Sequence, residues 1–374
     1  MNVIKKPAIS SSVKPIDEKL QNILRANRFS RMLMQQARPL TFVEGWGAWK
    51  INWDTSVSKY PIILYYRADA VDFVYRNNQL VAIIYKDYYQ DEDKKNYILF
   101  EIRRVADGNL YIEKELFQMT EGSEILIPCR LTDLPQLKDV QDRLVINNFD
   151  RFLGGPNIYY YDNTEDCYGR SIFTGKIDLF DDLDQCLSQG ANAVRRSTVT
   201  EVWDTNFLER DPATGMPIMP HSFDRKYVAY RGLRGGDGIT GTTPVTVTQP
   251  KIDFQQYDLE ETNILLEIIS GIMSPATLGI DIAKKDNAEA QREKEKVTIF
   301  TRNTVAEEEG PVIRDLMIDC LIAEEFMRTG ECTFKDYEVD VQYEELADSS
   351  WENKLETVLM GWQSGLMSDK MAIE

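Results

Sequence analysis

Residues 265–309 have the sequence LLEIISGIMSPATLGIDIAKKDNAEAQREKEKVTIFTRNTVAEEE, in which two helical patterns flank a loop. Apolar side chains recur at helical spacing in the first part and predict a helix over residues 255–273. Pro275 and Gly279 disfavour a helix, so residues 274–288 are predicted to form a loop. This succession of helix, loop and helix decides the architecture of the C-terminal half.

A long and highly charged tract follows the loop. Residues 289–348 are predicted to form a helix and then a return strand, with a kink or break at Gly310-Pro311. The glutamate run at residues 307–309 is interpreted as a solvated helix face. Apolar and acidic residues alternate over residues 337–346, and this alternation indicates a half-buried strand.

The N-terminal half has a different pattern. Residues 1–19 are predicted to form an arm and residues 20–37 an amphipathic helix, because apolar side chains recur there at helical spacing. Runs of β-branched and aromatic residues over residues 40–165 are separated by turn signals and predict short antiparallel strands. Gly45 and Gly47 lie in the first run and indicate a bend or a close backbone approach.

A second helical pattern covers residues 178–203. Its apolar stripe consists of Ile177, Phe180, Leu183, Leu187, Ala191 and Val194. Gly190 is unfavourable in the middle of this helix. Residues 204–254 are rich in Pro, Gly and Thr, and this composition predicts short strands and long turns between two helices. Strands and helices in these proportions place the chain in the α+β class.

Composition and charge limit the function. The 374 residues carry a net charge of −18, and 43% of them are hydrophobic, which is enough for folded lobes. An acidic balance fits a protein that does not bind nucleic acid. It also fits a protein that lets DNA pass without holding it, because like charges repel the phosphates. No apolar run is long enough to span a bilayer, so no membrane association is expected.

Candidate sites for chemistry are few. The five cysteines show no CxxC spacing and are expected to be reduced thiols, so neither a disulfide framework nor a zinc site is predicted. The single histidine, His221, lies in a Pro-rich stretch that is typical of a loop. The Gly-rich residues 231–243 lack the Gly-Lys-Ser/Thr ending of a phosphate-binding loop. We therefore expect no cofactor, no metal and no enzymatic activity.

Three stretches resemble portal proteins of tailed bacteriophages, of the type found in siphophages of Gram-positive hosts. The first is VEGWGAWKINWD at residues 43–54, followed by YYRADAVDFVYRNNQLVAIIY at residues 65–85. The second is YGRSIFTGKIDLFDDLDQCLSQGANAVRRS at residues 168–197, and the third is the stretch 265–309. The order of these stretches, rather than any strict motif, carries the resemblance.

The resemblance implies a portal-like α+β fold in which each segment has a name. The implied segments are an N-terminal arm (1–19), a β-rich wing (20–177), stem helix 1 (178–203), a clip (204–254), stem helix 2 (255–273), a tunnel loop (274–288), a long kinked helix with a return strand to the wing (289–348) and the start of a crown (349–374). The crown of the family is longer, so the chain is expected to end within it.

The resemblance also implies two functional regions. The tunnel-loop residues expected to face DNA are Thr277, Leu278, Lys284, Lys285, Asp286 and Asn287. The clip residues expected to dock other proteins are Arg210, Asp211, His221, Arg225, Arg231 and Arg234. The docking partners would be the terminase large subunit and, later, the head–tail connector, or adaptor, protein.

Further partners follow from the same resemblance. About twelve copies of the chain would form a ring at one capsid vertex of the virion, after assembly in the cytoplasm of the bacterial host. The ring would contact the major capsid and scaffolding proteins. It would serve as the channel for genome packaging and ejection, with double-stranded DNA passing through without sequence-specific contacts.

Other functions stay open at this stage. Another phage head protein, such as a minor capsid or connector subunit, would share the virion but not the channel. A metal-dependent nuclease or nucleotidyltransferase would need carboxylates that converge in a pocket, and its activity would depend on magnesium. A generic protein-binding module is the remaining alternative.

Overall fold

The computed structural model describes residues 4–120, 125–161, 168–197, 199–204, 208–218, 225–230, 245–248, 254–278, 288–331 and 337–344. The chain divides into two compact units, a main unit of Met1–Thr174 with Ile272–Glu374 and an inserted unit of Gly175–Gly271. Antiparallel sheets and helices occur together in the main unit, so the predicted α+β class is confirmed at this level.

The N-terminal segment belongs to the folded main unit. Its elements are β1 (Ala8–Ser10), α1 (Lys14–Ala26), α2 (Phe29–Met32) and α3 (Arg38–Glu44), with a π-helical turn at Leu33–Ala37 before α3. Ile9 of β1 is buried in the main core. Residues 1–19 therefore hold a strand and the start of a helix, where the sequence predicted only an arm.

The single helix predicted over residues 20–37 is wrong, because the helix is interrupted after Ala26. Arg28 adopts a left-handed backbone with φ of 50°, which ends the first helix. The side chain of Asn27 donates to Pro61 O at 2.8 Å and accepts from the backbone N of Ile63 at 2.8 Å. These long-range contacts fix the break, and helical periodicity gives no sign of them.

The described part of the main unit continues with nine strands. They are β2 (Trp46–Asn52), β3 (Ile62–Arg67), β4 (Val71–Arg76), β5 (Gln79–Gln90), β6 (Asn96–Ala106), β7 (Asn109–Met119), β8 (Leu126–Cys129), β9 (Arg143–Ile146) and β10 (Gly154–Ile158). One antiparallel sheet has the order β4-β5-β6-β7-β8, with β9 also paired to β7, and another has the order β10-β2-β3. The strand-rich region predicted over residues 40–165 is confirmed, except that its first residues belong to α3.

The close backbone approach predicted at Gly45 and Gly47 is confirmed. Gly45 ends α3 with φ of 94°, and a Cβ there would lie 2.8 Å from the carbonyl carbon of Arg170. A Cβ on Gly47 would lie 2.1 Å from the hydroxyl of Tyr65 on the adjacent strand. Both positions therefore require glycine for space, and Gly45 also requires it for its backbone conformation.

Five elements are found in the described residues of the inserted unit. They are α4 (Ile177–Arg196), β11 (Val199–Asp204), β12 (Arg225–Tyr230), β13 (Val245–Thr248) and α5 (Phe254–Ile269). The helix predicted to reach residue 203 ends at Arg196, because residues 199–204 pair as a strand. The helix predicted over residues 255–273 ends at Ile269, and Gly271 follows with φ of 76°.

The chain then returns to the main unit with α6 (Ala288–Thr329) and β14 (Asp340–Gln342). α6 continues through Gly310-Pro311, so the break considered there does not occur. Buried side chains on both sides of the proline hold the helix in place, among them Val305 and Ile313. β14 confirms a strand within residues 337–346, and it pairs with β1, a partner that the sequence did not reveal.

The main core lies between the sheet β10-β2-β3 and the helices α1 and α6. Trp49 of β2 is fully buried, and its ring centroid lies 5.5 Å from that of Phe29 and 5.0 Å from that of Tyr65. α6 contributes Ile313, Leu316, Met317, Cys320, Leu321, Ile322 and Ala323 to this core. Burial of this many apolar side chains is the main force that holds α6 on the sheet.

Glu309 corrects the interpretation of residues 307–309 as a solvated face. Glu307 is exposed, but Glu309 is completely buried. Its carboxylate pairs with Arg38 at 2.5 Å and accepts a hydrogen bond of 2.7 Å from each hydroxyl of Tyr159 and Tyr343. Arg38 also donates to the carbonyl oxygen of Ile4 at 2.9 Å, so one ion pair ties the N-terminal segment to α3 and α6.

Two further observations concern the state of the cysteines and the apolar content of the helices. Cys129, Cys186 and Cys320 are free thiols, while Cys167 and Cys332 lie outside the described residues. Among the helices of the described ranges, none combines the length and the apolar content that crossing a bilayer requires.

Candidate functional site

The two helices of the inserted unit form an antiparallel pair. The residue before α4 meets the end of α5, because Lys176 Nζ donates to the carbonyl oxygens of Ile268 at 2.7 Å, Glu267 at 3.2 Å and Ser270. An ammonium group at the last carbonyls of a helix stabilises its C-terminus. Lys176 therefore fixes one end of the pair, a role that helical periodicity did not indicate.

The middle of the pair is held by small side chains. Cys186 is buried, and its sulfur lies 3.9 Å from the carbonyl oxygen of Tyr257 on α5. Gly190, one turn further on, lies against the ring of the same tyrosine. Burial and the nearby carboxylates of Glu260 and Glu261 raise the pKa of Cys186, so its thiol stays protonated and acts as a small apolar group.

The apolar stripe predicted on α4 is helical, but several of its side chains face solvent. Ile177 is 70% exposed, Leu187 47% and Val194 52%. At about 100° per residue these positions lie within roughly a third of the helix circumference. An exposed apolar face of this kind is typical of a surface that contacts another molecule.

The helix pair is also strongly acidic. α4 and α5 together carry eight acidic and two basic side chains. The basic residues, Arg195 and Arg196, lie in the last turn of α4, where they interact favourably with the helix dipole. The remaining surface of the pair is negative and repels other polyanions.

A three-stranded sheet accompanies the helices. β11 is its central strand, with β12 parallel on one side and β13 antiparallel on the other. Val228 of β12 and Val247 of β13 are 47% and 61% exposed. The short strands predicted for residues 204–254 are therefore confirmed, although the first of them begins earlier, at Val199.

The residues proposed for protein docking are only partly described. Arg210 forms an isolated bridge with Pro217, and Asp211 accepts from the backbone N of Ala213 at 2.9 Å and from Thr214 Oγ1 at 2.8 Å. These bonds lower the pKa of Asp211 and make it part of a turn. Arg225 lies in β12, while His221, Arg231 and Arg234 lie outside the described residues.

The residues proposed to face DNA are also only partly described. Thr277 and Leu278 lie in a short 3-10 helix, Pro275–Leu278. The hydroxyl of Thr277 is 2.9 Å from that of Thr298, so it is held against α6, and Leu278 is 37% exposed. Lys284, Lys285, Asp286 and Asn287 lie outside the described residues.

Three buried charged residues in the main unit, Lys50, Glu101 and Arg103, form one paired group. Lys50 lies 3.1 Å from Glu101, and Arg103 lies 2.8 Å from the same carboxylate. Burial raises the pKa of Glu101, but Arg103 and Lys50 outweigh it and hold that pKa at about 2. Over the described ranges, no group of three or more His, Cys, Asp or Glu side chains is arranged to hold a metal ion.

Comparison with known proteins adds no relatives. No model of a protein family matches the chain, and no curated protein matches its sequence.

Proposed function

We propose that this chain is the subunit of a bacteriophage portal, a ring through which DNA enters and leaves the capsid. The resemblance set out from the sequence motivates the proposal, and the inserted unit supports it. A helix pair that ends in a small sheet, and that is followed by a long helix, fits the expected order of stem, clip, stem and crown-directed helix.

The observation that carries the proposal is the exposed apolar stripe on an acidic helix pair. An isolated chain gains nothing from exposing Ile177, Leu187 and Val194 together. In a ring, the stripe of one subunit would be buried against the next subunit, which removes apolar surface from water. Because a ring is closed, every subunit would have a neighbour, and no apolar stripe would stay exposed to water.

The charge of the pair supports passage of DNA rather than tight binding. Proteins that grip DNA present lysine and arginine to the phosphates and release counterions. α4 and α5 together carry eight acidic and two basic side chains, and the whole chain carries −18. A ring of such subunits would repel the DNA backbone from its wall and keep the DNA mobile.

The first experiment is the native mass of the purified chain, with negative-stain images of the same fraction. Wild type is expected to give rings of about twelve subunits with a central hole. Leu187→Glu places a charge in the stripe and should shift the mass towards free subunits. Gln189→Glu adds the same charge on the opposite side of α4 and should leave the rings intact.

Other outcomes would count against the stripe contact or against the portal proposal itself. Rings that survive Leu187→Glu unchanged would count against the stripe as the contact between subunits. A small closed dimer with magnesium-dependent activity on nucleic acid would overturn the portal proposal and favour an enzyme. An open assembly without a central hole would favour another head protein. Circular dichroism of both variants checks that their helices are retained.

A further inference from the structure

One cavity is lined by residues of the main unit alone. Its volume is about 330 Å³, and it lies between α3, the start of α6 and the segments at residues 172–173 and 272–273. Most of its wall is apolar, and Phe42, Ile172 and Met273 are among the side chains that form it. The volume is at the lower end of the range of small-molecule sites.

Arg302 supplies a buried positive charge to this apolar wall. The residue is 8% exposed and lines the cavity. Its one side-chain hydrogen bond within the described residues runs from Nη1 to Asn303 Oδ1, at 3.2 Å. No carboxylate in the described ranges pairs with it, whereas Arg38, at another part of the wall, is neutralised by Glu309.

A second buried polar group lies beside Thr298, which lines the cavity. This group is the hydroxyl of Ser274, a residue that is 2% exposed, and it makes no hydrogen bond to any described residue. Its backbone N donates to Thr298 Oγ1 at 2.8 Å, and Thr298 lines the cavity. Thr298 and Arg302 are four residues apart on α6 and lie on the same face of the helix. The polar end of the cavity therefore lies along one side of α6.

Burying an ionised guanidinium without a counter-charge costs free energy, and this cost is recovered when an anion binds. A guanidinium presents several N–H groups in one plane and pairs best with a carboxylate or a phosphate. Apolar walls around such a group accept an aliphatic chain, which gains free energy by leaving water. A single ligand with an anionic group and an aliphatic chain would pair with the guanidinium and also cover the apolar wall.

We propose that this cavity binds an anionic amphiphile, a carboxylate with an unbranched aliphatic tail of medium length. The carboxylate pairs with Arg302, and the tail lies among Phe42, Ile172 and Met273. The proposal is independent of ring formation and of DNA passage. It holds or fails whether or not the chain is a portal subunit.

The test is calorimetric titration of the full chain with decanoate below its micelle-forming concentration. Three probes separate the charge from the tail: acetate lacks the tail, decanol lacks the charge, and decyltrimethylammonium reverses it. Decanoate is expected to bind with one site per chain and at least about tenfold more tightly than any of the three.

Variants test the role of the arginine. Arg302→Gln should weaken decanoate binding by about tenfold or more, and Arg302→Lys should restore part of it. Arg314→Gln, at an exposed position on the same helix, should leave binding unchanged. Absence of saturable decanoate binding to wild type would overturn the proposal. Equal binding of decanoate and decyltrimethylammonium would do the same, and this comparison needs no variant to fold.

Discussion

At the scale of single residues, two buried carboxylates on α6 have different surroundings. Glu309 is neutralised by Arg38 and two tyrosine hydroxyls. Asp319 pairs with Arg151 and accepts from the backbone N of Gly154 at 3.0 Å. The first holds the N-terminal segment on the main unit, and the second holds the start of β10. Each leads to a prediction.

Glu309→Ala is expected to destabilise the chain by roughly 3–5 kcal/mol, because it leaves the guanidinium of Arg38 buried without a counter-charge. Glu307→Ala removes the same side chain at an exposed position two residues away, and little change is expected. Urea unfolding followed by circular dichroism measures both. Equal losses in the two variants would contradict the assignment of Glu309 as an anchor.

Asp319 should make stability depend on pH. Burial raises its pKa to about 6, although Arg151 acts in the opposite direction. Because this pKa is higher in the folded chain than in the unfolded chain, the folded state is favoured at low pH. The contribution, up to about 3 kcal/mol, is lost as the pH rises through 6. Wild type should lose stability relative to Asp319→Asn as the pH rises from about 4 to about 7, by about 3 kcal/mol at most.

Melting temperatures of both proteins across this range provide the measurement. Asp315→Asn is the matched control, since Asp315 contacts the same Arg151 at 3.2 Å but its side chain is 63% exposed. This variant should keep the pH dependence of wild type, because Asp315 has the smallest of the named effects on the pKa of Asp319. If wild type and Asp319→Asn change in parallel, the burial of Asp319 does not control its ionisation.

At the scale of elements, Gly190 and Gly47 differ in whether the surrounding structure has room for an alanine side chain. Gly190 lies inside α4, and a Cβ there would meet only ring carbons of Tyr257, at 3.8 and 3.9 Å. Gly190→Ala should therefore stabilise the chain by about 0.5–1 kcal/mol, since alanine is the better helix former. Gly47→Ala should destabilise it, because its Cβ would collide with Tyr65. Thermal unfolding of both variants tests the pair, and a loss of stability in Gly190→Ala would contradict the described packing.

Periodicity predicted which elements exist better than where they end. The strands over residues 40–165 and the helices α4, α5 and α6 followed from local pattern. Their boundaries depended on long-range contacts, such as Asn27 with Pro61 and Ile63 at the break after α1. The same holds for the candidate sites. A run of three glutamates shows nothing of the one that is buried, and an apolar stripe does not reveal which side chains face solvent.

At the scale of the whole molecule, the distribution of charge bears on the proposed channel. The chain carries −18, and its helix pair is acidic. Lys284 and Lys285, in the segment between α5 and α6, are adjacent cations in this setting. In a portal they would make weak, salt-sensitive contacts to phosphates, without reading the sequence of the DNA. Loss of these two positive charges should reduce the packaging or retention of DNA and leave assembly of the ring unchanged.

The double variant Lys284→Glu and Lys285→Glu replaces two cations per subunit by two anions. Rings should form as in wild type, whereas the amount of DNA packaged or retained per particle should fall, because the anions repel the phosphates. Lys94→Glu with Lys95→Glu makes the same change at a turn in the main unit and should leave DNA retention unchanged. Loss of rings in the first variant would show that the two lysines serve assembly. Full retention of DNA in it would show that the channel makes no use of them, and the proposed contact would have to be abandoned.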